Sequence, residues 1–218
     1  MTQLCATLRK LPISMLLLGQ IALAQDLGKS AIDKLEALLA DTSTLSANVT
    51  QLIMESSGGI LEESRIRMHL DRPDGFYWET LEPFPELVVT NGKLLWNYQP
   101  DLEQVVVEDW NQSRSELAAQ LLNGETDSLG EDYRVSLAAS EGSRREFDLT
   151  PVDADNSYER ISISFLGPEL DSIHLRARNG EQTVWRFDSV ERNHQLPDSL
   201  FEFEAPPGIE VINNSYVR

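Results

Sequence analysis

From residue 60 to residue 110 the chain is written with a period of two, and that rhythm excludes most folds at once. In "SRIRMHL", Ile66, Met68 and Leu70 fall on one side and Arg65, Arg67 and His69 on the other; "GFYWET" sets Phe76 and Trp78 against Tyr77 and Glu79. Successive side chains of a strand point to opposite faces, so these segments are half-buried strands rather than helices. Asn91-Gly92, between the apolar runs of "ELVVTNGKLLWNY", predicts a hairpin with a type I′ turn. "YQPDL" turns the chain again into "EQVVVEDW", so residues 60–110 read as a meander of antiparallel strands. The same rhythm returns in "YRVSLAA", "REFDLTP" and "ERISISFL", and again in "SIHLRARNGEQTVWRFDSV", with a second hairpin at Asn179-Gly180. "LFEFEAPPGIEVI" follows, with Pro206-Pro207-Gly208 as a turn.

Helical signals are few. Residues 26–40, "DLGKSAIDKLEALLA", place Leu27, Ala31, Ile32, Leu35, Leu38 and Leu39 on one face. Ser113 and Glu116 form a capping box ahead of "ELAAQLL", which Asn123-Gly124 ends. Two helices cover little of so many strands. A long curved sheet with so little helix either closes into a barrel or keeps a cavity under a partial lid, and apolar walls around such a space suit an acyl chain better than a polar metabolite. No linker or repeat divides the chain. The expected fold class is mainly β (α+β), in a single domain over residues 25–218.

The N-terminus predicts export. Arg9 and Lys10 precede an apolar run from Leu11 to Ala22, and Ala22-Leu23-Ala24 is a small-x-small cleavage pattern. That run is shorter than the roughly 20 residues needed to span a bilayer, so residues 1–24 read as a cleaved signal peptide. The only cysteine, Cys5, leaves with it and stands on the wrong side of the apolar run for lipidation. The remaining chain has no thiol and must draw its stability from core burial. It carries 16 basic and 36 acidic side chains, a net charge of −20 against −18 for the full chain. A field of that sign repels nucleic acid and anionic membranes.

Common catalytic arrangements are missing from the sequence. There is no G-x-S-x-G elbow, no H-E-x-x-H pair and no Gly-rich phosphate loop. His69, His174 and His194 are far apart in sequence, and nothing in their spacing asks for a metal. Nothing in these patterns asks for a catalytic residue, a metal or a cofactor, and a glycosidase's two facing carboxylates are the arrangement that sequence leaves open.

"RPDGFYW", "LVVTNGKLLWNYQPDLEQVVV", "LLNGE" and the closing "LFEFEAPPGIEVI" together resemble the LolA family of periplasmic outer-membrane lipoprotein carriers. The resemblance runs from the helix leading into "LSANVTQ" to about Ile212. It implies an open, incomplete antiparallel β-barrel with a helical lid over an apolar cavity. It also implies a monomeric carrier that takes acylated lipoproteins from an inner-membrane ABC transporter. Delivery is to an outer-membrane receptor lipoprotein, where one is present. By this resemblance Arg72 is the lid latch, bonding lid carbonyls with its several fixed donors. Phe76, Trp78, Val88, Leu95 and Trp96 are the cavity residues it implies, with the inward face of the 94–98 strand left open because Leu94, Leu95, Trp96 and Tyr98 make both faces apolar, while Pro73, Asn91 and Gly92 shape turns. Asp71 stands where a lysine is usual in the family, and Glu116 where a proline is common. The alternative is a periplasmic lipid- or fatty-acid-binding paralogue of the same fold with different cargo.

Overall fold

A computed structural model describes residues 30–110 and 129–215. Helix α1 (Ala31–Ala40) leads into strands β1 (Thr44–Met54), β2 (Ile60–Asp71), β3 (Gly75–Glu82), β4 (Glu86–Asn91), β5 (Leu94–Gln99) and β6 (Gln104–Asp109). A single helical turn, α2 (Leu129–Asp132), precedes β7 (Tyr133–Glu141), β8 (Arg144–Pro151), β9 (Tyr158–Leu166), β10 (Glu169–Ala177), β11 (Gln182–Arg192) and β12 (Glu210–Asn213). The helix expected over 113–122 falls outside the described residues, as does the first turn of the helix expected from residue 26.

All twelve strands form one sheet in the order β12-β6-β5-β4-β3-β2-β1-β11-β10-β9-β8-β7. The two edges, β12 and β7, do not pair with each other, so the barrel stays open as expected. Pairing is antiparallel throughout except at one edge, where β12 returns to lie parallel to β6. The strand that holds the two halves together is β1, which pairs with β2 on one side and β11 on the other. The sequence reading starts its meander at residue 60 and passes over β1. Its rhythm was nonetheless present: Leu45, Ala47 and Val49 are buried at 3%, 5% and 2% exposure, with Ser46, Asn48 and Thr50 alternating between them.

The inner face of this sheet is the main core. Ile66, Met68 and Leu70 of β2, Phe147 and Leu149 of β8, and Ile161, Ile163 and Phe165 of β9 are all buried there. α1 lies on the same cluster through Leu35 and Leu39, with Ile32 and Leu38 at its margin. Along β4–β6 burial changes sides. Val89, Val105 and Val107 are buried, and the register puts Val89 and Val107 with Trp96 on the face opposite Phe76 and Trp78. The C-terminal segment covers that second face. Phe201 is buried against the start of β3 and Phe203 meets Tyr98 with ring centroids 5.3 Å apart.

The Asn91-Gly92 hairpin forms, but its turn is not type I′. A type I′ turn needs positive φ at both central residues, and only Gly92 has it, at +82°. Asn91 stays in the ladder opposite Gly75, and its Oδ1 accepts hydrogen bonds from the Lys93 and Leu94 amides at 3.0 and 3.1 Å. The side chain therefore does the turning and the tip moves to Gly92-Lys93. Glycine is required there twice over, since a Cβ would lie 2.4 Å from the Asp74 Cβ.

On the polar outer face the fold brings two of the three histidines together. Ser46 Oγ lies 2.7 Å from His69 Nδ1 and 3.1 Å from His194 Nε2, which ties the segment after β11 to β1 and β2. His174 is elsewhere, bonded to Gln182 at 2.9 Å. Burial, then the charges of Arg67 and His194, lower the His69 pKa from its ordinary 6.5, with Glu79 opposing them. A proton on His69 thus favours the unfolded chain. Its contribution to stability is complete above 6.5 and is lost as pH falls through its lowered folded value. Urea midpoints measured at pH 7.5 and pH 5 should therefore fall further for the wild type than for His69→Gln, and equal falls would remove His69 from the account. In the main core, Met68→Ala should cost about 2–5 kcal/mol by the same denaturation measurement, because Met68 is fully buried at the centre of the sheet.

Candidate functional site

The site is built where the C-terminal end of α1 meets the apolar face. A helix ends with four carbonyls that have no partner within it. Here the Leu39 carbonyl accepts a hydrogen bond from Arg72 Nη1, and also one from the Thr42 amide at 3.3 Å. Arg72 opens the three-residue turn between β2 and β3, its own amide donating to the Ser43 carbonyl at 2.9 Å. Pro73 follows through a cis peptide bond. Strand order thus delivers a guanidinium to the end of a helix 33 residues earlier in the chain. Burial, and secondarily the charge of Arg192, push the Arg72 pKa below its ordinary value.

Beneath α1 lies a cavity of about 20 Å³, lined by Leu38, Leu39, Leu45, Leu70, Phe165 and Leu170 with Arg72 and Arg192 at its polar side. Ligand pockets run to roughly 300–1,000 Å³. An acyl chain under α1 therefore requires the helix to move. A larger trough of about 530 Å³ lies across β8–β11 on the other side of the sheet, but its lining includes Arg144, Ser162, Ser172, His174 and Asp188 and does not suit hydrocarbon.

The residues predicted to line the cavity divide between two faces. Phe76 and Trp78 lie on the inner face with stacked rings, centroids 6.0 Å apart and planes inclined 19°. Val88 is registered opposite Trp78 and Leu95 opposite Thr90, which pairs with Phe76, so both share that face. Trp96 does not. It stands opposite Val89, one step out of phase, on the face covered by the C-terminal segment. A one-residue offset in a strand reverses the face, and "LLWNY" carries apolar residues in both phases. Pro73 and Gly92 sit in the turns that bound β3 and β4, and Asn91 ends β4 beside the second of them.

One aromatic was missed. Trp185 of β11 meets Trp78 edge-on at 5.7 Å, although three strand boundaries separate β3 from β11 in the sheet. Only strong curvature brings them together. Trp185 also donates from Nε1 to Gln51 Oε1 at 2.7 Å. The alternation of Trp185 and Phe187 in "TVWRFDSV" was a usable signal, but nothing local said which strand it would face.

Residues 40–204 match the family described as "Outer membrane lipoprotein carrier protein LolA". An outer-membrane lipoprotein carrier protein of Hahella chejuensis (strain KCTC 2396) is 34% identical over 187 residues, covering 85% of this chain and 90% of the relative. One of Pseudomonas putida (strain W619) is 30% identical, covering 94% and 98%. Among solved structures, an uncharacterized conserved protein from Thermus thermophilus superposes with a TM-score of 0.56 at 15% identity, covering 88% of this chain and 99% of that one. MucB does so at 0.51 and 12% identity, covering 85% and 66%. These two show the fold alone. The family match over most of the chain, with relatives at this identity along nearly their whole length, places the chain in the LolA family of outer membrane lipoprotein carrier proteins.

Proposed function

We propose that this protein carries acylated lipoproteins across the periplasm, sheltering their acyl chains between α1 and the inner face of the sheet. The observation that carries the reading is the bond from Arg72 to the Leu39 carbonyl, which ties the covering helix to an otherwise apolar sheet face. Residues 1–24 serve as the export signal and are removed. Cargo is received from an inner-membrane ABC transporter and handed to an outer-membrane receptor lipoprotein where one is present. The carrier works as a monomer and performs no chemistry.

A latch follows from the energetics of such cargo. Burying acyl chain is worth about 0.8 kcal/mol per CH₂, so one fatty chain approaches ~10 kcal/mol. A site open and complementary at all times would hold its cargo too tightly to deliver it. A helix that closes over the empty site lowers net affinity by the fraction of time the site is open. In this scheme Arg72 sets that fraction, Phe76, Trp78, Val88 and Leu95 supply the wall, and Trp185 continues it across the interior. Trp96 supports the wall from behind.

The test is release of a newly made outer-membrane lipoprotein from bacterial spheroplasts by the purified protein. The expected result is a soluble one-to-one complex in the medium. Arg72→Leu should accept cargo at least as well and fail to pass it to outer membranes. No release, with free lipid or fatty acid bound to the purified protein instead, would assign the site to a different acylated ligand. Normal delivery by Arg72→Leu would overturn the latch.

A further inference from the structure

We propose that Arg192 is a second latch residue, a positioning residue that grips the exit of α1 beside Arg72. The proposal rests on the reading of α1 as a lid. Arg192 ends β11, and its side chain is only 12% exposed. Its Nε donates to Thr42 Oγ1 at 3.0 Å, and its Nη2 donates to the Asp41 carbonyl at 2.9 Å and meets Asp41 Oδ2 at 3.2 Å. Every one of these acceptors lies in the two residues that follow α1. Arg72 holds Leu39, the next-to-last residue of the same helix. Two guanidiniums, from β11 and from the β2–β3 turn, thus converge on one helix end.

The chemistry of the convergence points to a device for closure rather than to simple packing. Both arginines line the small cavity under α1, among Leu45, Leu70 and Leu170. Two like charges in a partly desolvated cleft repel, and a sheet end needs neither of them for its ladder. The helix and its exit supply acceptors to both: the Leu39 carbonyl at the C-terminal end of α1 to Arg72, and the Asp41 carbonyl and carboxylate to Arg192. Lifting the helix withdraws the Leu39 carbonyl from Arg72 and pulls on the acceptors that hold Arg192. Closing the lid therefore brings acceptors to both guanidiniums at once. Asn193 completes the grip, its Nδ2 donating to the Asp41 carbonyl at 2.9 Å and its Oδ1 accepting from the Ser43 amide at 2.8 Å.

The measurement is hydrogen exchange of residues 31–40 in the ligand-free protein, together with binding of the fluorescent fatty acid cis-parinaric acid. Arg192→Leu should speed exchange in α1 by roughly three- to tenfold, the scale of one ordinary net hydrogen bond, and should tighten the fatty acid by a similar factor. A gain in affinity separates an opened lid from a damaged fold, which would bind more weakly. Arg192→Lys should recover part of both effects, because a lysine restores the charge opposite Asp41 but not the fork. Arg72→Leu is the comparison. If it moves both readouts and Arg192→Leu moves neither, the second latch is wrong and the lid stands. Faster exchange spread over β1 and β11, with weaker binding, would also overturn it. If the wild type takes up no fatty acid, the carrier reading fails, and exchange in α1 alone still decides whether Arg192 holds the helix.

Discussion

A sheet of twelve strands whose two edges do not pair with each other cannot seal its apolar face by curvature alone, and the rest of this structure is an answer to that constraint. Closure would have paired β12 with β7 and sealed the interior permanently. Instead β12 turns back onto β6, β7 ends the other edge, and the inner face must be covered by something separate. α1 is that cover among the described residues. It contributes Leu35 and Leu39 to the core while remaining joined to the sheet only through the short connection before β1. A cover attached in this way takes no part in the strand ladder beneath it.

The polar bonds fall where the helix can accept them. The end of α1 presents carbonyls, and the strand order brings Arg72 and Arg192 to that end from two directions. In a chain with twice as many acidic as basic residues, two arginines in one cleft stand out. Other arginines, such as Arg67 with Glu79 and Arg144 with Asp171, lie on the outer face in exposed ion pairs of the kind worth about 0–1 kcal/mol each. The pair at the end of α1 is different because it is partly desolvated and the acceptors described above lie in or just after that helix.

The second face of the sheet has its own logic. The C-terminal segment packs Phe201 and Phe203 behind β3–β5, so the strands that carry Phe76, Trp78, Val88 and Leu95 inward are supported from outside. These strands are therefore covered on both faces, which accounts for the apolar residues in both phases of "LLWNY".

Much of this was legible from residues alone, and the reasons are local. A period of two identifies strands wherever one face is buried, which is why nearly every strand from β2 to β11 was placed. Asn-Gly pairs mark hairpins because few residues accept positive φ, although the side-chain bonds of Asn91 then chose a different turn. The motif around Arg72, Phe76 and Trp78 identified the family. What the sequence could not decide were questions of pairing over long separations. β1 was overlooked although its alternation is plain, and its position between β2 and β11 is fixed by partners up to about 150 residues away. The face of Trp96 depended on which side the C-terminal segment would cover. The meeting of Trp78 with Trp185, and of Arg192 with the end of α1, depended on sheet curvature and strand order. Alternation and turn chemistry are properties of neighbours along the chain. Which strand lies beside which, and therefore which charges share a cleft, is a property of the completed sheet.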